Sequence, residues 1–432
     1  MKKALVWFRN DLRTQDNTIL EQAIQENDNV IGIYFFDPRM FEKNKFGFKR
    51  TEKFRAKFLI ETIHDLKKQL EALNIPLFIF LQQPEDVFPQ FLENRKITSI
   101  YSLKEWTRNE NRVTEAVKSG IERYDIEWVE MYDQFLFHPE DIPFSIEDVP
   151  KVFTNFRKKC EKYSKVRPIC KVDPMPKDNY SANDTKIPSL QQLGFSDFHL
   201  PEEAAFVFEG GTSQAKKRIK NYFWEHENLK EYKETRNGLI GTEYSSKLSA
   251  WLANGSISAR TIYHEVKKFE KEITANDSTY WLIFELIWRD FFKYVSLKHG
   301  DKIFQLHGIL NKGYDWNTNT DAIQQWISGD TDEPFVNANM LEIKHTGWMS
   351  NRGRQNVASY FAKEKKIDWR IGASYFESLL IDYDVHSNYG NWMDVAGVGN
   401  DPRDRKFNIQ KQAERYDPDQ KFQDLWLEKI IH

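Results

Sequence analysis

The chain has 432 residues, a formal net charge of −3 and an aromatic content of 15%, with 13 tryptophans. Its length is sufficient for more than one domain, and its two cysteines, Cys160 and Cys170, are too few for a disulfide framework or a metal centre. The slightly acidic charge excludes binding of nucleic acid through bulk electrostatics, so any such binding requires a local basic patch.

The N-terminal sequence MKKALVWFRNDL contains an apolar run that Arg9 and Asp11 interrupt. This run is too short for a signal peptide, and no later segment is long enough to span a membrane. Together with the scarcity of cysteine, these features predict a cytoplasmic protein that is not associated with a membrane.

The first third of the chain, residues 1–135, predicts alternating strands and helices. Short apolar runs rich in β-branched and aromatic residues are separated by helical patterns, the longest over residues 50–73. Such alternation predicts an α/β domain with a parallel, Rossmann-like sheet that helices cover on both faces. The predicted strands are Ala4–Phe8, Val30–Phe36, Leu77–Leu81, Ile97–Leu103 and Ile126–Met131.

Residues 136–200 are rich in proline and predict an interdomain linker with one helix near Val152–Tyr163. Residues 201–432 predict a larger all-helical domain. Because neither G-x-G-x-x-G nor a P-loop occurs, this helical domain is the better candidate for a nucleotide cofactor. Its predicted helices are Gly211–Trp224, Ala259–Lys271, Asp277–His299, Thr320–Ser328, Asn337–Lys365 with a break near Trp348, and Ala373–Asp382.

The segment DSTYWLIFELIWRDFFKY, residues 277–294, combines charges with an apolar helix. Glu285, Trp288 and Arg289 share one helical face, and burial of unpaired charge is costly, so the charges require partners. The functional interpretation is a ligand site, and the alternative is an internal Glu285–Arg289 ion pair beside a packing tryptophan.

Two further segments contain groups that suit phosphate. Arg352 and Arg354 flank Gly353 after Asn351, which favours bidentate phosphate binding with close backbone approach; the alternative is a basic surface turn. The hydroxyls in residues 245–249, which surround a lysine ahead of a helical run, suit an anion; the alternative is simple N-capping.

Asp382 and Asp384 flank Tyr383 within IDYDVHSNYGNWMDVAGV, residues 381–398, which lacks regular periodicity and reads as a loop. In an extended segment both carboxylates face the same side, where they suit hydroxyl or amine groups of a ribose and a purine. The alternative is an ordinary polar loop.

Taken together, these segments resemble the photolyase/cryptochrome family over residues 6–422. The resemblance rests on YKETRNGLIG, ANDSTYWLIFELIWRDFF, TGWMSNRGRQ, DYDVHSNYGNW and AGVGNDPR, which occur in the family's order. The last two are most similar to the DASH branch.

The resemblance implies a blue-light flavoprotein that binds FAD non-covalently in the helical domain. The implied FAD-binding residues are Tyr232, Ser245, Ser246, Lys247, Leu248, Ser249, Trp281, Glu285, Arg289, Trp348, Asn351, Arg354, Asp382, Asp384 and Asn388. Asn388 corresponds to the family's residue at flavin N5, and Trp392, Trp369 and Trp316 to its electron relay. Asn109 and Glu110 resemble contacts of a methenyltetrahydrofolate antenna, for which the alternative is a polar helix start.

The implied activity is light-driven repair of cyclobutane pyrimidine dimers in single-stranded DNA by a monomer. Glu285 would hydrogen-bond the dimer, Trp288 would stack on its bases, and Asn351, Arg352 and Gln355 are further DNA contacts. One departure is Asp394, where the family has an aromatic residue that stacks on the lesion; an acid there repels phosphate and weakens stacking by about 1–3 kcal/mol.

The alternative function is a blue-light photoreceptor whose flavin redox state regulates a partner or DNA binding. The absence of a long tail after the family core favours repair. A nucleotide-dependent oxidoreductase of another kind is disfavoured because both common phosphate-binding motifs are missing.

Overall fold

The computed structural model of the chain describes residues 2–428. Its N-terminal domain contains a five-stranded sheet in which all pairings are parallel and the strand order is β3-β2-β1-β4-β5. The predicted α/β class is confirmed, and each predicted strand is present within two residues of its expected start. The strands are β1 Lys3–Trp7, β2 Asn29–Phe35, β3 Leu77–Phe80, β4 Ser99–Leu103 and β5 Glu127–Met131.

Helices cover both faces of this sheet because successive side chains of a strand point to opposite sides. Val6 packs into a core with residues from α1 and α2, whereas Leu5 and Trp7 pack into a second core with residues from α3 and α4. These helices are α1 Thr18–Glu26, α2 Lys53–Ala72, α3 Pro84–Arg95 and α4 Arg108–Ile121.

After β5 the described chain contains helices and no further strand, as predicted, and residues 164–211 contain no helix. The linker helix α5 is Phe153–Tyr163. The helical domain contains α6 Thr212–Ile219, α7 Tyr232–Thr235, α8 Ser249–Ala253, α9 Ala259–Glu272, α10 Asp277–His299, α11 Thr320–Ser328, α12 Pro334–Thr346, α13 Asn351–Ser359, α14 Trp369–Leu379, α15 Val385–Ala396, α16 Ile409–Tyr416 and α17 Lys421–Leu427. Short π-helical turns extend α6 through Glu225 and α13 through Glu364.

The break expected near Trp348 is present between α12 and α13. Gly347 ends α12 with a φ of 70°, and a Cβ there would lie 2.7 Å from the side chain of Phe54. Glycine is therefore required both by the left-handed backbone and by this close approach to α2. Ser350 then caps α13 by accepting a hydrogen bond from the backbone N–H of Gly353.

One prediction is wrong. Residues 385–396, interpreted as a loop, form α15. Asp384 begins this helix as its N-cap, because its carboxylate accepts a hydrogen bond from the Ser387 N–H at 2.8 Å. Gly390 allows α15 to pack closely on α10, since a Cβ at this position would lie 2.2 Å from the ring of Phe292.

The two domains are joined by a buried network of two arginines and two aspartates. Arg260 on α9 contacts Asp16 and Asp133, each at 2.8 Å, and Arg13 also pairs with Asp133. Asp290 on α10 accepts hydrogen bonds from backbone N–H groups at residues 136 and 137, which fixes the start of the linker. These contacts hold the sheet domain against α9 and α10. In residues 2–428, helices that are both long and apolar enough to cross a membrane are absent.

Candidate functional site

A cavity of about 820 Å³ opens in the helical domain. Its walls come from α8, α10, α13, α15 and the loop that follows α15, with the start of α5 at one edge. This volume lies within the range of sites for drug-sized ligands and cofactors. The structure brings together here thirteen of the predicted site residues, namely Tyr232, Ser246, Leu248, Ser249, Glu285, Trp288, Arg289, Asn351, Arg352, Arg354, Gln355, Asp382 and Asp384.

The partner of Glu285 is Arg236, at 2.7 Å. Burial raises the pKa of Glu285, and the guanidinium of Arg236 opposes that rise. Arg289 instead donates hydrogen bonds to the backbone oxygens of Gln134 and Leu252, at 2.8 and 2.9 Å. The alternative of an internal Glu285–Arg289 ion pair is therefore wrong, since each charge has its own partner and both line the cavity.

Arg354 and Asp382 form a second ion pair, in which the carboxylate is buried and the guanidinium is partly exposed. The Arg354 Nη2 lies 3.0 Å from both carboxylate oxygens of Asp382, and its Nε donates to the backbone oxygen of Met349 at 2.9 Å. Because the guanidinium is held at two sides, its remaining donors face the cavity in a fixed orientation. Such an orientation suits a phosphate or a polar ring edge.

Asp384 is a strongly acidic group at the wall of the cavity. Its Oδ2 accepts a hydrogen bond from the buried ammonium of Lys293 at 3.0 Å. Burial opposes ionisation of Asp384, but Lys293, His386 and Arg289 outweigh it and hold the pKa of Asp384 well below its usual range. The carboxylate is therefore a permanent acceptor for hydroxyl or amine donors.

Ser246, Leu248 and Ser249 line the cavity beside α8, which has no side-chain cap. The side chain of Lys247 points elsewhere. Its Nζ lies 3.1 Å from the ring centroid of Tyr244, without a hydrogen-bond partner among the described residues. Burial lowers the pKa of Lys247. Ser245 also lies outside the cavity wall, and its backbone oxygen accepts a hydrogen bond from Arg218.

Two predicted tryptophans support the cavity from outside its wall. Trp348 donates to the hydroxyl of Tyr244 at 3.1 Å, and Arg354 lies 5.2 Å from the centroid of its ring. Trp281 is covered by Arg236, whose guanidinium lies 5.4 Å from the ring centroid. Both indoles therefore hold cavity-lining arginines in place through cation–π contacts.

Asn388 and Trp392 are buried on α15, behind the cavity wall. A side-chain N–H of Asn388 donates to the backbone oxygen of Ala373 at 3.0 Å. This bond fixes the orientation of the amide and does not involve its oxygen. The Trp392 ring packs against Gly372, where a Cβ would lie 2.2 Å from Cη2. Helix α14 therefore lies directly against this indole.

The backbone segments that contain Trp369 and Trp316 are adjacent. Trp369 is fully buried and donates to the backbone oxygen of Leu306 at 3.0 Å, whereas Trp316 is half-buried. An isolated parallel bridge pairs Asn317 with Ile367, one residue after Trp316 and two before Trp369. The bridge brings the segments of the two tryptophans together at the surface end of α14.

Trp288 lines the cavity, and one face of its indole is already covered. The ring of Phe153 stacks on it with centroids 3.6 Å apart and an interplanar angle of 10°. Phe153 is 7% exposed and belongs to the core, so it supports Trp288 from behind. The ring of Phe292 lies 5.5 Å from the Trp288 ring and is tilted by 31°, so it leaves more of that indole uncovered than Phe153 does.

A second cavity, of about 430 Å³, lies between the two domains. Asn109 and Glu110 line it, as do Arg289 and Asp384, which also line the first cavity. Further basic side chains in its wall are Arg9, Arg39, Arg50 and Arg55. The two cavities therefore share a wall, and the wall of the second carries both signs of charge, since Asp37 and Glu377 pair there with Arg39 and Arg50.

Glu377 in the second cavity makes folding stability depend on pH. Burial raises its pKa to about 7, while Arg50 and Arg55 oppose the rise. The folded state therefore binds a proton that the unfolded state releases, and stability falls as pH rises from about 4.5 to about 7. We expect Glu377→Gln to reduce this fall by up to about 3 kcal/mol. Denaturant unfolding at about pH 5 and about pH 8 measures it, with exposed Glu115→Gln as the control; equal pH dependence in the two variants would contradict the prediction.

Sequence reasoning missed Arg236 and the loop after α15, residues 397–407, as parts of the cavity. The requirement that Glu285 have a cationic partner predicted the type of residue but not its position, because Arg236 is distant in sequence. For the loop, the cluster of arginines in NDPRDRK was the available indication.

Comparisons with known proteins agree with this geometry. The model of the DNA photolyase family matches residues 4–177, and that of the FAD binding domain of DNA photolyase matches residues 281–432. The chain is 43% identical to a cryptochrome DASH from Gloeobacter violaceus, over 99% of this chain and 86% of that protein. The crystal structure of a Synechocystis sp. cryptochrome is similar with a TM-score of 0.95 and 43% identity, over 99% of this chain and 89% of that one.

A more distant structure is that of an archaeal photolyase from Sulfolobus tokodaii, which contains two FAD molecules. It is 26% identical with a TM-score of 0.78, over 99% of this chain and 90% of that one. The family matches at both ends and the identity over nearly the whole length place the chain in the photolyase/cryptochrome superfamily, in its cryptochrome DASH branch.

Proposed function

We propose that this chain is a monomeric, cytoplasmic flavoprotein that repairs cyclobutane pyrimidine dimers in single-stranded DNA under blue light. The observation that carries the proposal is one cavity in which Glu285 and Trp288 lie beside the predicted flavin-binding residues. With FAD bound, a group that can hydrogen-bond a base and a ring that can stack on it would lie next to the electron source that the reaction requires.

The residues of the cavity fit FAD. Ser246, Ser249 and the uncapped start of α8 supply donors for phosphates, and Arg354 and Asp384 supply a fixed donor and a fixed acceptor. The guanidinium donates hydrogen bonds and the carboxylate accepts them, so the two groups complement the ribose, purine and flavin edges of a dinucleotide. The photolyase-type FAD-binding domain that the chain carries supports this assignment.

When bound and reduced, the flavin supplies the electron that light transfers to the dimer. Glu285 hydrogen-bonds the dimer, and its ion pair with Arg236 fixes the orientation of the carboxyl group. Trp288 stacks on the dimer with the face that Phe153 leaves free, a contribution of about 1–3 kcal/mol. A single-stranded substrate avoids the cost of unpairing the target bases.

Asn388 is the residue we expect to act on flavin N5. One of its two side-chain N–H groups is committed to the Ala373 oxygen, which fixes the orientation of the amide, and the side-chain oxygen can accept a hydrogen bond from a protonated N5. We expect Asn388→Ala to speed reoxidation of the reduced flavin in air about fivefold, the effect of losing a hydrogen bond worth about 1 kcal/mol. Stopped-flow absorbance measures the rate. The control is Asn391→Ala, one turn along α15, and a rate for Asn388→Ala equal to that of the control would refute the role.

For the antenna, we propose methenyltetrahydrofolate in the second cavity. Asn109 and Glu110 line it, and Arg9 and Arg55, which donate hydrogen bonds to neutral groups, supply positive charge for the glutamate carboxylates of a folate. The archaeal photolyase with two FAD molecules shows that a relative holds more than one chromophore.

A second candidate function is light sensing without efficient repair, which Asp394 favours because it offers no ring to stack on a lesion. Light-dependent repair of a dimer-containing oligonucleotide, single-stranded and duplex side by side, separates the candidates. Repair of the single strand alone supports the proposal. Absence of repair in both, with FAD bound and reducible by light, supports the sensor.

A further inference from the structure

Asp394 lines the cavity, but its carboxyl group is not a free acid. It lies in the last turn of α15, and its Oδ1 accepts hydrogen bonds from the backbone N–H groups of Asn400 at 2.6 Å and Asp401 at 3.1 Å. Burial raises the pKa of Asp394 to about 7, and these two N–H groups oppose the rise. The carboxyl group therefore ties α15 to the loop 397–407.

The backbone of this loop is shaped to receive the carboxyl group. A Cβ on Gly399 would lie 2.2 Å from the Asp394 Oδ1 and 2.7 Å from the Asp394 backbone nitrogen, so any larger residue there would push the loop away from α15 and break the contact. Glycine at this position allows the close approach that the two hydrogen bonds require.

The loop 397–407, which Asp394 holds, contains two arginines that line the cavity. Arg403 and Arg405 line it and remain well exposed, at 67% and 47% of their side-chain areas. The Asp401 carboxylate contacts both guanidinium groups, at 3.4 and 3.1 Å. Asp401 itself is held by Asp394, so the position of both arginines depends on the Asp394 carboxyl group.

The far end of the loop is fixed independently. The Asp404 carboxylate pairs with Lys363 and accepts a hydrogen bond from the hydroxyl of Tyr314, and the N–H of Phe407 donates to Ser359. Loss of the Asp394 contacts would therefore free residues 399–403, including the Asp401 carboxylate that orients the Arg405 guanidinium, without detaching the whole loop.

The charge around the mouth of the cavity indicates what the loop binds. Arg352 lines the same cavity from α13, so guanidinium groups stand both on that helix and on the loop. Guanidinium groups bind phosphate oxygens bidentately, and a strand whose bases enter the cavity must place its phosphates at the rim.

We propose that Asp394 is a positioning residue that holds Arg403 and Arg405 where they bind the phosphates flanking the bases in the cavity. Where the family places a stacking ring, this chain thus has a carboxyl group that orders an electrostatic contact with single-stranded DNA. The inference rests on the proposed function only in taking a single DNA strand as the ligand.

The test uses the FAD-loaded protein in the dark with an undamaged, fluorescently labelled oligothymidylate. We expect Asp394→Ala to weaken binding and to lower the slope of log K against log salt by about 1.4, the value for two phosphate contacts on a single strand. The double variant Arg403→Gln/Arg405→Gln should lose the same slope. Adding Asp394→Ala to it should cause no further loss, because the arginines that the carboxyl group positions are already gone.

Two variants separate positioning from a general structural effect. Asp394→Asn keeps an oxygen acceptor and should rescue both affinity and slope, and Gly399→Ala should reproduce Asp394→Ala by displacing the contact. Arg123→Gln, on the far domain, controls for loss of a positive charge. Flavin absorbance and thermal unfolding report folding in each case.

An unchanged salt slope in Asp394→Ala or Gly399→Ala, or an Asp394→Asn that behaves like Asp394→Ala, would overturn the inference. Because dark binding of undamaged DNA needs no repair, a protein that binds as described but repairs nothing would refute only the proposed enzymatic function.

Discussion

Arg260→Met will lower the free energy of unfolding by about 3–5 kcal/mol, the cost of breaking a buried ion pair by removing one partner. Arg260 and both of its acceptors, Asp16 and Asp133, are almost completely buried. Its removal leaves two carboxylates in the protein interior, where Asp133 keeps its ion pair with Arg13 and a hydrogen bond from the Thr18 hydroxyl. An unpaired buried charge costs several kcal/mol, which methionine cannot offset.

The matched control is Lys267→Met on the same helix, α9. Lys267 pairs with Glu270 at 2.8 Å but is 45% exposed, and pairs of this kind contribute about 0.5 kcal/mol. Denaturant unfolding of both variants at neutral pH measures the difference. A loss in Arg260→Met no larger than in the control would show that the interdomain network does not stabilise the fold.

That network also shows what local sequence patterns cannot predict. Residues 13, 16, 133 and 260 belong to three separated segments, and nothing near any one of them identifies the others. The parallel sheet, by contrast, was predictable because buried strands appear in the sequence as contiguous apolar runs. Helix α10 was predictable because its apolar pattern continues over residues 277–299.

The candidate site likewise contains residues that were predictable from the sequence and residues that were not. Glu285 was predictable as a site residue because a charge within an apolar segment needs a partner. Arg354 was predictable because it flanks a glycine together with another arginine, and Asp382 because it lies two residues from a second carboxylate; the resemblance supplied their roles and that of Trp288. The pairing of Glu285 with Arg236 was not predictable, since it depends on how α7 packs on α10. Helix α15 was missed because several of its polar residues line the cavity. Its sequence therefore lacks the apolar periodicity that otherwise indicates a helix.

Trp392→Phe will abolish reduction of the bound flavin by light, although FAD will still bind. The proposed relay begins at Trp392, which is 2% exposed, continues to the buried Trp369 and ends at Trp316, which solvent reaches. Phenylalanine fills most of the space but is much harder to oxidise than an indole. The measurement is the rate at which the flavin's blue absorption band bleaches under illumination with an external reductant.

The control is Trp326→Phe, because Trp326 is also buried and its ring lies 6.2 Å from that of Trp392 but it is not part of the proposed relay. Its bleaching rate should stay close to that of the unmodified protein, and an equal loss in both variants would show that any packing change near Trp392 suffices.

Repair provides the second half of the test. Trp392→Phe that has been reduced chemically should still repair a dimer, because the relay supplies electrons before repair and Glu285 and Trp288 remain in place. Normal bleaching in Trp392→Phe would exclude this relay, whereas lost bleaching with intact repair would separate activation of the flavin from the repair reaction itself.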